Sequence, residues 1–194
     1  MGEYPNWFAM SGRFNFIKHL EEFKDKKANF LQIGAFTGDA SLWMLENALL
    51  HEHSTLTDVD TWRGSDELPH HGFDWEDVED TYNTKLDIYF KLDKLIKFRG
   101  TSDDFFAASG FLNRKYDFIY VDGDHTAKSV LKDGINALEC VAPGGIVAFD
   151  DYTWQSGKGS TFDPRPAIDA LIVAYGDTFK VIESNTQLWM RNVK

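Results

Sequence analysis

The sequence predicts a doubly wound α/β fold, in which helices cover both faces of a mostly parallel sheet. Three observations predict it. Short apolar runs that close on glycine or aspartate alternate with amphipathic stretches over most of the 194 residues. Two long polar segments rich in Trp, Gly and Pro follow strands at their C-terminal ends, where open α/β sheets bind ligands. The chain closes on two strands joined by a tight turn, which adds an antiparallel hairpin.

Taken in order, residues 1–27 read as a short helical extension packed on one edge of a domain that runs over 28–194. NFLQIG (29–34) is a buried strand with an apolar core and Gly34 at its end. DASLWMLENALL (39–50) sets Leu42, Trp43, Leu45 and Leu49 at helix spacing. STLTDVD (54–60) is a second strand, followed by a helix near 77–91 and a strand KLIKFRG (94–100). A short helix over 102–110 leads to the strong strand YDFIYVD (116–122). The helix over 126–141 turns Val130, Leu131, Ile135, Leu138 and Val141 inward and stops at the PGG of 143–145. GIVAFD (145–150) is a strand, and the helix over 166–175 has Pro166 in its first turn and Gly176 just past its end. TFKVIES and TQLWMRN, joined near Ser184 and Asn185, complete seven strands. The segments 61–77 and 151–165 fit no element and read as functional loops inserted in the domain.

Composition narrows the function. A hydrophobic share of 43% with 15% aromatics supports a large core and excludes a disordered chain. No apolar run approaches the roughly 18 residues that cross a bilayer. The first twenty residues, MGEYPNWFAMSGRFNFIKHL, lack the pattern of a secretory signal. The single cysteine, Cys140, cannot close an internal disulfide, so a reducing, cytoplasmic setting is expected. A formal charge of -11 repels phosphate backbones, so neither nucleic acid nor an anionic membrane is expected as a partner.

The segment QIGAFTGDAS (32–41) puts Gly34 and Gly38 in a strand-to-helix turn, where backbone can approach a ligand closely. The following helix start presents free N–H groups. It is neither G-x-G-x-x-G nor a phosphate loop with lysine, and a tight turn without a ligand is the alternative reading. A carboxylate at the end of the second strand, Asp58 or Asp60, is placed to accept hydrogen bonds from ribose hydroxyls.

The segments FLQIGAFTG, VDTWRG, FRGTSDDF, YDFIYVDGDHT and APGGIVAFDDY stand in an order that resembles class I S-adenosylmethionine-dependent methyltransferases. The nearer likeness is to divalent-metal-dependent small-molecule O-methyltransferases of the catechol and caffeoyl-coenzyme A type. Nearer again is the branch of macrolide-sugar O-methyltransferases and cephalosporin-hydroxylase-like proteins, with its D-T-W and V-D-G-D-H motifs. The resemblance covers roughly residues 28–192 and implies a Rossmann-like, seven-stranded sheet. It implies that Gln32, Gly34, Ala35, Phe36, Thr37 and Gly38 line the methionine part of the cofactor. Asp60 would hold the ribose with Thr61 and Trp62 beside it, and Ser102 and Asp103 would lie at the adenine. Gln32 stands where relatives carry an acid, and Ala40 where many carry serine, with Ser41 or the Asp39 backbone as substitutes.

The same resemblance makes the strands ending at Asp122 and at Asp150–Asp151 neighbours, so three carboxylates would share one rim. Like charges so close need compensation, and a hard divalent cation such as Mg²⁺ is the simplest. Asp122, Asp150 and Asp151 are therefore the expected metal ligands, with Asp122 also beside the cofactor. His125 stands where catechol-type relatives carry a lysine base, and histidine suits that role near neutral pH. The alternatives for His125 are a helix-start hydrogen bond or direct metal ligation. His125 and Asp122 are the expected catalytic pair, and Asp124 is expected to cap the following helix.

His51, His53, His70 and His71 read as solvated, with His70 or His71 in reach of a substrate. Trp62, Trp75, Trp154 and Phe162 either wall a substrate pocket or anchor their loops. Trp7 and Phe8 either close over the pocket or pack on a second subunit as a homodimer. The expected acceptor is a small hydroxylated molecule, such as a sugar or a catechol-like group. The alternatives are a cofactor-binding or hydroxylase-associated protein of the same fold without methyl transfer, and a nicotinamide-dependent oxidoreductase. The missing third glycine and the idle carboxylate trio disfavour the oxidoreductase.

Overall fold

The computed structural model describes residues 3–65, 70–108 and 114–194. The described elements are α1 (Trp7–Ser11), α2 (Arg13–Leu20), β1 (Asn29–Ile33), α3 (Asp39–Asn47), β2 (Thr55–Asp60), α4 (Trp75–Lys91) and β3 (Leu95–Arg99). They continue with α5 (Ser102–Ala107), β4 (Tyr116–Val121), α6 (Ala127–Cys140), β5 (Val141–Phe149), α7 (Arg165–Tyr175), β6 (Phe179–Ser184) and β7 (Leu188–Asn192). The C-terminal end of the helix expected over 102–110 lies outside the described residues. Among them, no helix is long and apolar enough to cross a membrane.

The seven strands form one sheet in the order β3-β2-β1-β4-β5-β7-β6. The first five run parallel, and β7 is antiparallel to both of its neighbours, β5 and β6. The chain changes direction across the sheet between β1 and β4, and a crevice opens at the carboxyl ends there. Registers Ile33↔Val121 and Val121↔Phe149 bring the ends of β1, β4 and β5 to one level, so the residues that follow them share a rim.

Each face of the sheet carries its own core. On one, Phe30, Phe118 and Trp189 pack with Met44, Leu45, Trp62 and Tyr82. On the other, Ile119, Val147 and Phe149 pack with Phe105, Leu138, Ile168 and Leu171. The N-terminal extension does not sit on an edge. Phe16 is 0% exposed and meets Phe118, Tyr120 and Trp189 edge-on, so α2 covers the face of the central strands. Burying such a ring contributes roughly 1.5–3 kcal/mol. No local pattern shows this, because the partners lie more than a hundred residues away.

Two features of α6 differ from expectation. Leu131 and Ile135 are 37% and 42% exposed, and the buried stripe runs through Val130, Asp133, Gly134, Ala137 and Leu138 instead. Gly134 sets that face: a Cβ there would lie 2.2 Å from Leu171, so α7 seats directly on its backbone. The helix also ends before the PGG, because Val141 turns extended and pairs with Tyr116 as the first residue of β5. α4 starts at Trp75, two residues earlier than expected, since the Asp74 carboxylate accepts from the amides of Glu76 and Asp77.

Asp58 lies inside β2, fully buried, and accepts a hydrogen bond from the Tyr82 hydroxyl at 2.8 Å. Burial pushes its carboxyl from 3.8 up to about 7. Between those values the folded chain holds a proton that the unfolded chain has lost, so this residue's contribution to stability falls as pH rises. Asp58→Asn keeps an acceptor for Tyr82 and cannot ionise. Its stability relative to the parent is expected to rise by about 4 kcal/mol between pH 4 and pH 8, read from urea midpoints. A difference that stays flat across that range would mean that Asp58 is ionised in the fold.

Candidate active site

The turn after β1 is built on left-handed backbone: Gly34, Phe36 and Gly38 have φ of 87°, 49° and 80°. Gly34 is dictated by proximity as well, since a Cβ there would stand 1.9 Å from the Asp122 carbonyl oxygen. The turn is braced from below. Asp60 Oδ2 accepts from the amides of Ala35 and Phe36 at 2.7 and 2.9 Å, and its Oδ1 accepts from Trp62 N at 2.7 Å. Gln32 donates to the Gly34 carbonyl at 2.7 Å and accepts from the Ser41 hydroxyl at 3.1 Å. Glutamine thus fills the position of the expected acid as a brace.

Above this turn lies a cavity of about 390 Å³. It is lined by Gln32, Gly34, Ala35, Phe36, Thr37, Asp60, Thr61, Ser102, Asp103 and Asp122, all named from the sequence. Ala40 and Asp39 line it too, and Asp39 is held by Lys85 at 2.6 Å. Two expected residues do not. The ring of Trp62 is 1% exposed in the core, packed on Tyr82, and its indole donates to the Phe36 carbonyl at 2.9 Å. Gly38 caps α3 from behind, facing Tyr82 and Leu86. Of the two ribose candidates, Asp58 is interior, and Asp60 alone faces the cavity. Asp103 lines the wall but directs its carboxylate to Lys132, with its side chain 53% exposed.

Beside the cavity, ligand atoms of Asp122, His125 and Asp151 converge within 4.8 Å of one another. His125 Nε2 stands 3.0 Å from Asp151 Oδ2 and 3.7 Å from Asp122 Oδ1. Burial, then the charge of Asp150, pushes the Asp122 carboxyl well above the usual carboxylate range, with His125 working in the opposite direction. Asp150 differs from the expected trio. Its Oδ2 accepts from the Tyr120 hydroxyl at 2.7 Å, which turns it away from the convergence. That link continues inward: Gln187 donates to the Tyr120 oxygen at 3.4 Å, and the Gln187 carbonyl accepts from Asn15 and Trp189 at 2.9 and 3.0 Å. Asp124 accepts from Thr126 N at 2.7 Å, but the cap of α6 is Thr126 and not the expected Asp124, since the Thr126 hydroxyl accepts from Ser129 N.

The two carboxylates suit a hard divalent cation, which prefers oxygen ligands and would offset their repulsion, while the imidazole nitrogen beside them is the softer donor. The cavity suits a nucleoside-sized ligand, and its floor leaves no room for a side chain at Gly34. Aromatic rings frame its mouth. Trp7 packs on Phe36 at 4.8 Å and lies 5.7 Å from His70, and both Trp7 and Trp75 line the cavity. Phe8 lines the cavity as well and packs edge-on against Phe16. The Trp154 ring stands 5.3 Å from His125, while Phe162 is 45% exposed. Sequence reasoning missed Tyr120, Gln187 and Asn15, which carry no motif. It also missed Asp133, for which a polar residue on a buried helix stripe was the available signal.

A family model described as a methyltransferase domain matches residues 31–152. No sequence among curated proteins matches the chain. Among solved structures, the fold resembles that of the O-methyltransferase from Bacillus cereus in complex with SAH, at 16% identity and a TM-score of 0.66, over 95% of this chain and 81% of that one. The O-methyltransferase NovP gives 17% identity and a TM-score of 0.70, over 94% of this chain and 80% of that one. The MycE methyltransferase from the mycinamycin biosynthetic pathway, in complex with Mg and SAH, gives 13% identity and a TM-score of 0.62, over 98% of this chain and 55% of that one. At such identities the likeness is one of fold.

Proposed function

The chain belongs to the methyltransferase-domain family, and from that premise we propose that it moves a methyl group from S-adenosylmethionine to a hydroxyl of a small molecule with the help of a divalent cation. The observation that carries this reading is the double position of Asp122, which lines the cavity and also belongs to the acid–histidine cluster. A cofactor lying on the glycine turn and an acceptor lying at the cluster would therefore be neighbours.

When bound, S-adenosylmethionine supplies an activated methyl and the cation supplies positive charge that acidifies a nearby hydroxyl. Asp122 and Asp151 would hold the cation, with Asp150 beside them. With the cation drawing Asp122 and Asp151 to itself, His125 Nε2, which faces them at 3.7 and 3.0 Å, would be available to take the hydroxyl proton. The chemistry that the cofactor would supply is transfer of its sulfonium methyl to the acceptor oxygen, with the C–S electron pair left on sulfur. Gln32, Asp60 and Trp62 fix the turn that would hold the methyl donor, so its seat would need no reorganisation. Trp7, Phe36 and Trp75 line the cavity and would shield a bound cofactor from water. We place the protein in a reducing, cytoplasmic setting, in keeping with the free and buried Cys140.

Calorimetry with S-adenosylhomocysteine is expected to give one site per chain. Methyl transfer to a panel of sugar and phenolic hydroxyls is expected to fall at least about tenfold on chelation and to return with Mg²⁺. Absence of any S-adenosylhomocysteine binding would overturn the reading. Turnover indifferent to a strong chelator would remove the cation from it.

A further inference from the structure

We infer that Asp133 is a specificity-determining residue of the cofactor pocket, its buried carboxyl accepting a hydrogen bond from the exocyclic amine of the adenine. The inference rests on the S-adenosylmethionine reading of the cavity.

Asp133 stands on the otherwise apolar buried stripe of α6, 4% exposed, and lines the cavity. A buried aspartate needs partners. It does not take the adjacent Lys132, which reaches out to Asp103 instead. The Ser102 hydroxyl nearby favours its ionised form, and a carboxylate offers about four acceptor positions. Its Oδ2 lies 3.7 Å from where a Cβ on Gly123 would be, so the bare backbone after β4 keeps the approach to it open. Asp103, the residue whose position in the sequence suggests contact with the base, is committed to Lys132 at the surface. That leaves Asp133 as the buried acid on this wall with acceptor capacity to spare.

Burial pushes the Asp133 carboxyl up to about 6, with the charges of Asp103 and Asp124 adding to the rise and the Ser102 bond and Lys132 opposing it. An N–H donor in the cavity would offset the cost of keeping it ionised at neutral pH. A purine with a carbonyl in place of the amine would instead set acceptor against acceptor, and the unmade bond is the source of discrimination.

The test is calorimetry on the whole chain with S-adenosylhomocysteine, S-inosylhomocysteine and the N6,N6-dimethyl analogue. The parent protein is expected to bind the last two about 10–100-fold more weakly than the first. In Asp133→Asn the amide can donate to the inosine carbonyl, so the preference for adenosine over inosine should shrink to within about threefold or reverse. A merely structural role for Asp133 would weaken all ligands together and leave their ratio unchanged. Equal binding of the three by the parent would overturn the assignment, whether or not the variant folds. So would a variant that keeps the parental ratio. If the parent bound none of them, the cofactor reading itself would fail and take this assignment with it.

Discussion

His125→Ala is expected to lower kcat by about 10²–10⁴-fold while S-adenosylhomocysteine affinity stays within about threefold. The imidazole is 17% exposed, and its Nε2 sits between Asp151 at 3.0 Å and Asp122 at 3.7 Å. It belongs to the loop after β4, on the side of the cluster that meets the Trp154 ring. Removing it would take away the proposed base and would leave the glycine turn and its braces untouched. The cofactor site should therefore keep its affinity. A bound cation acidifying the same hydroxyl would do part of the work, which puts the expected loss toward the lower end of the range. Steady-state turnover on the best acceptor, paired with calorimetry, separates the outcomes. If kcat stays within about threefold of the parent, His125 is not the base. If cofactor binding collapses as well, its role is to hold the rim together.

What could be read from the sequence was whatever is written locally. Strands that end on Asp60, Asp122 and Asp150 announce themselves by apolar runs closed with an acid. Their convergence at one rim follows once β2, β1, β4 and β5 stand side by side. The glycines of the first turn carry their reason in the backbone, and their conformation was legible. Contacts between distant segments were not. Phe16 covers the face of β4 and β7, and nothing within α2 says which strands it meets. Trp62 reads as a pocket residue because it follows Asp60, yet its ring turns into the core and only its N–H serves the turn. Asp150 and Asp151 are adjacent in sequence, and a left-handed residue at Asp151, φ 55°, separates them in direction. One joins the convergence with His125, and the other meets Tyr120. Such a split depends on a side chain thirty residues earlier in the chain, which no motif records.

Gly34→Ala is expected to cost upwards of about 4 kcal/mol in stability, enough to lower Tm by on the order of 10 °C in a chain of this size. Two penalties add. The left-handed backbone at φ 87° strains any side chain by roughly 1–2 kcal/mol. The larger part is steric: the new methyl would stand 1.9 Å from the Asp122 carbonyl oxygen and 2.5 Å from its carbon. Those are backbone atoms, and no rotamer change can clear them. Asp122 N is bonded to the Ile33 carbonyl at 2.8 Å, so relief requires prying β1 from β4 where the cofactor turn and the acid–histidine cluster meet. Activity should vanish with the geometry of Asp122, even in the fraction that remains folded. Gly144→Ala is the control, since Gly144 has φ 77° and a methyl there would meet nothing within 4 Å. It carries the strain without the clash and should cost only about 1–2 kcal/mol. Thermal unfolding of the two variants side by side reads the difference. Equal losses would mean that the close approach of the first and fourth strand ends is not what glycine serves at position 34.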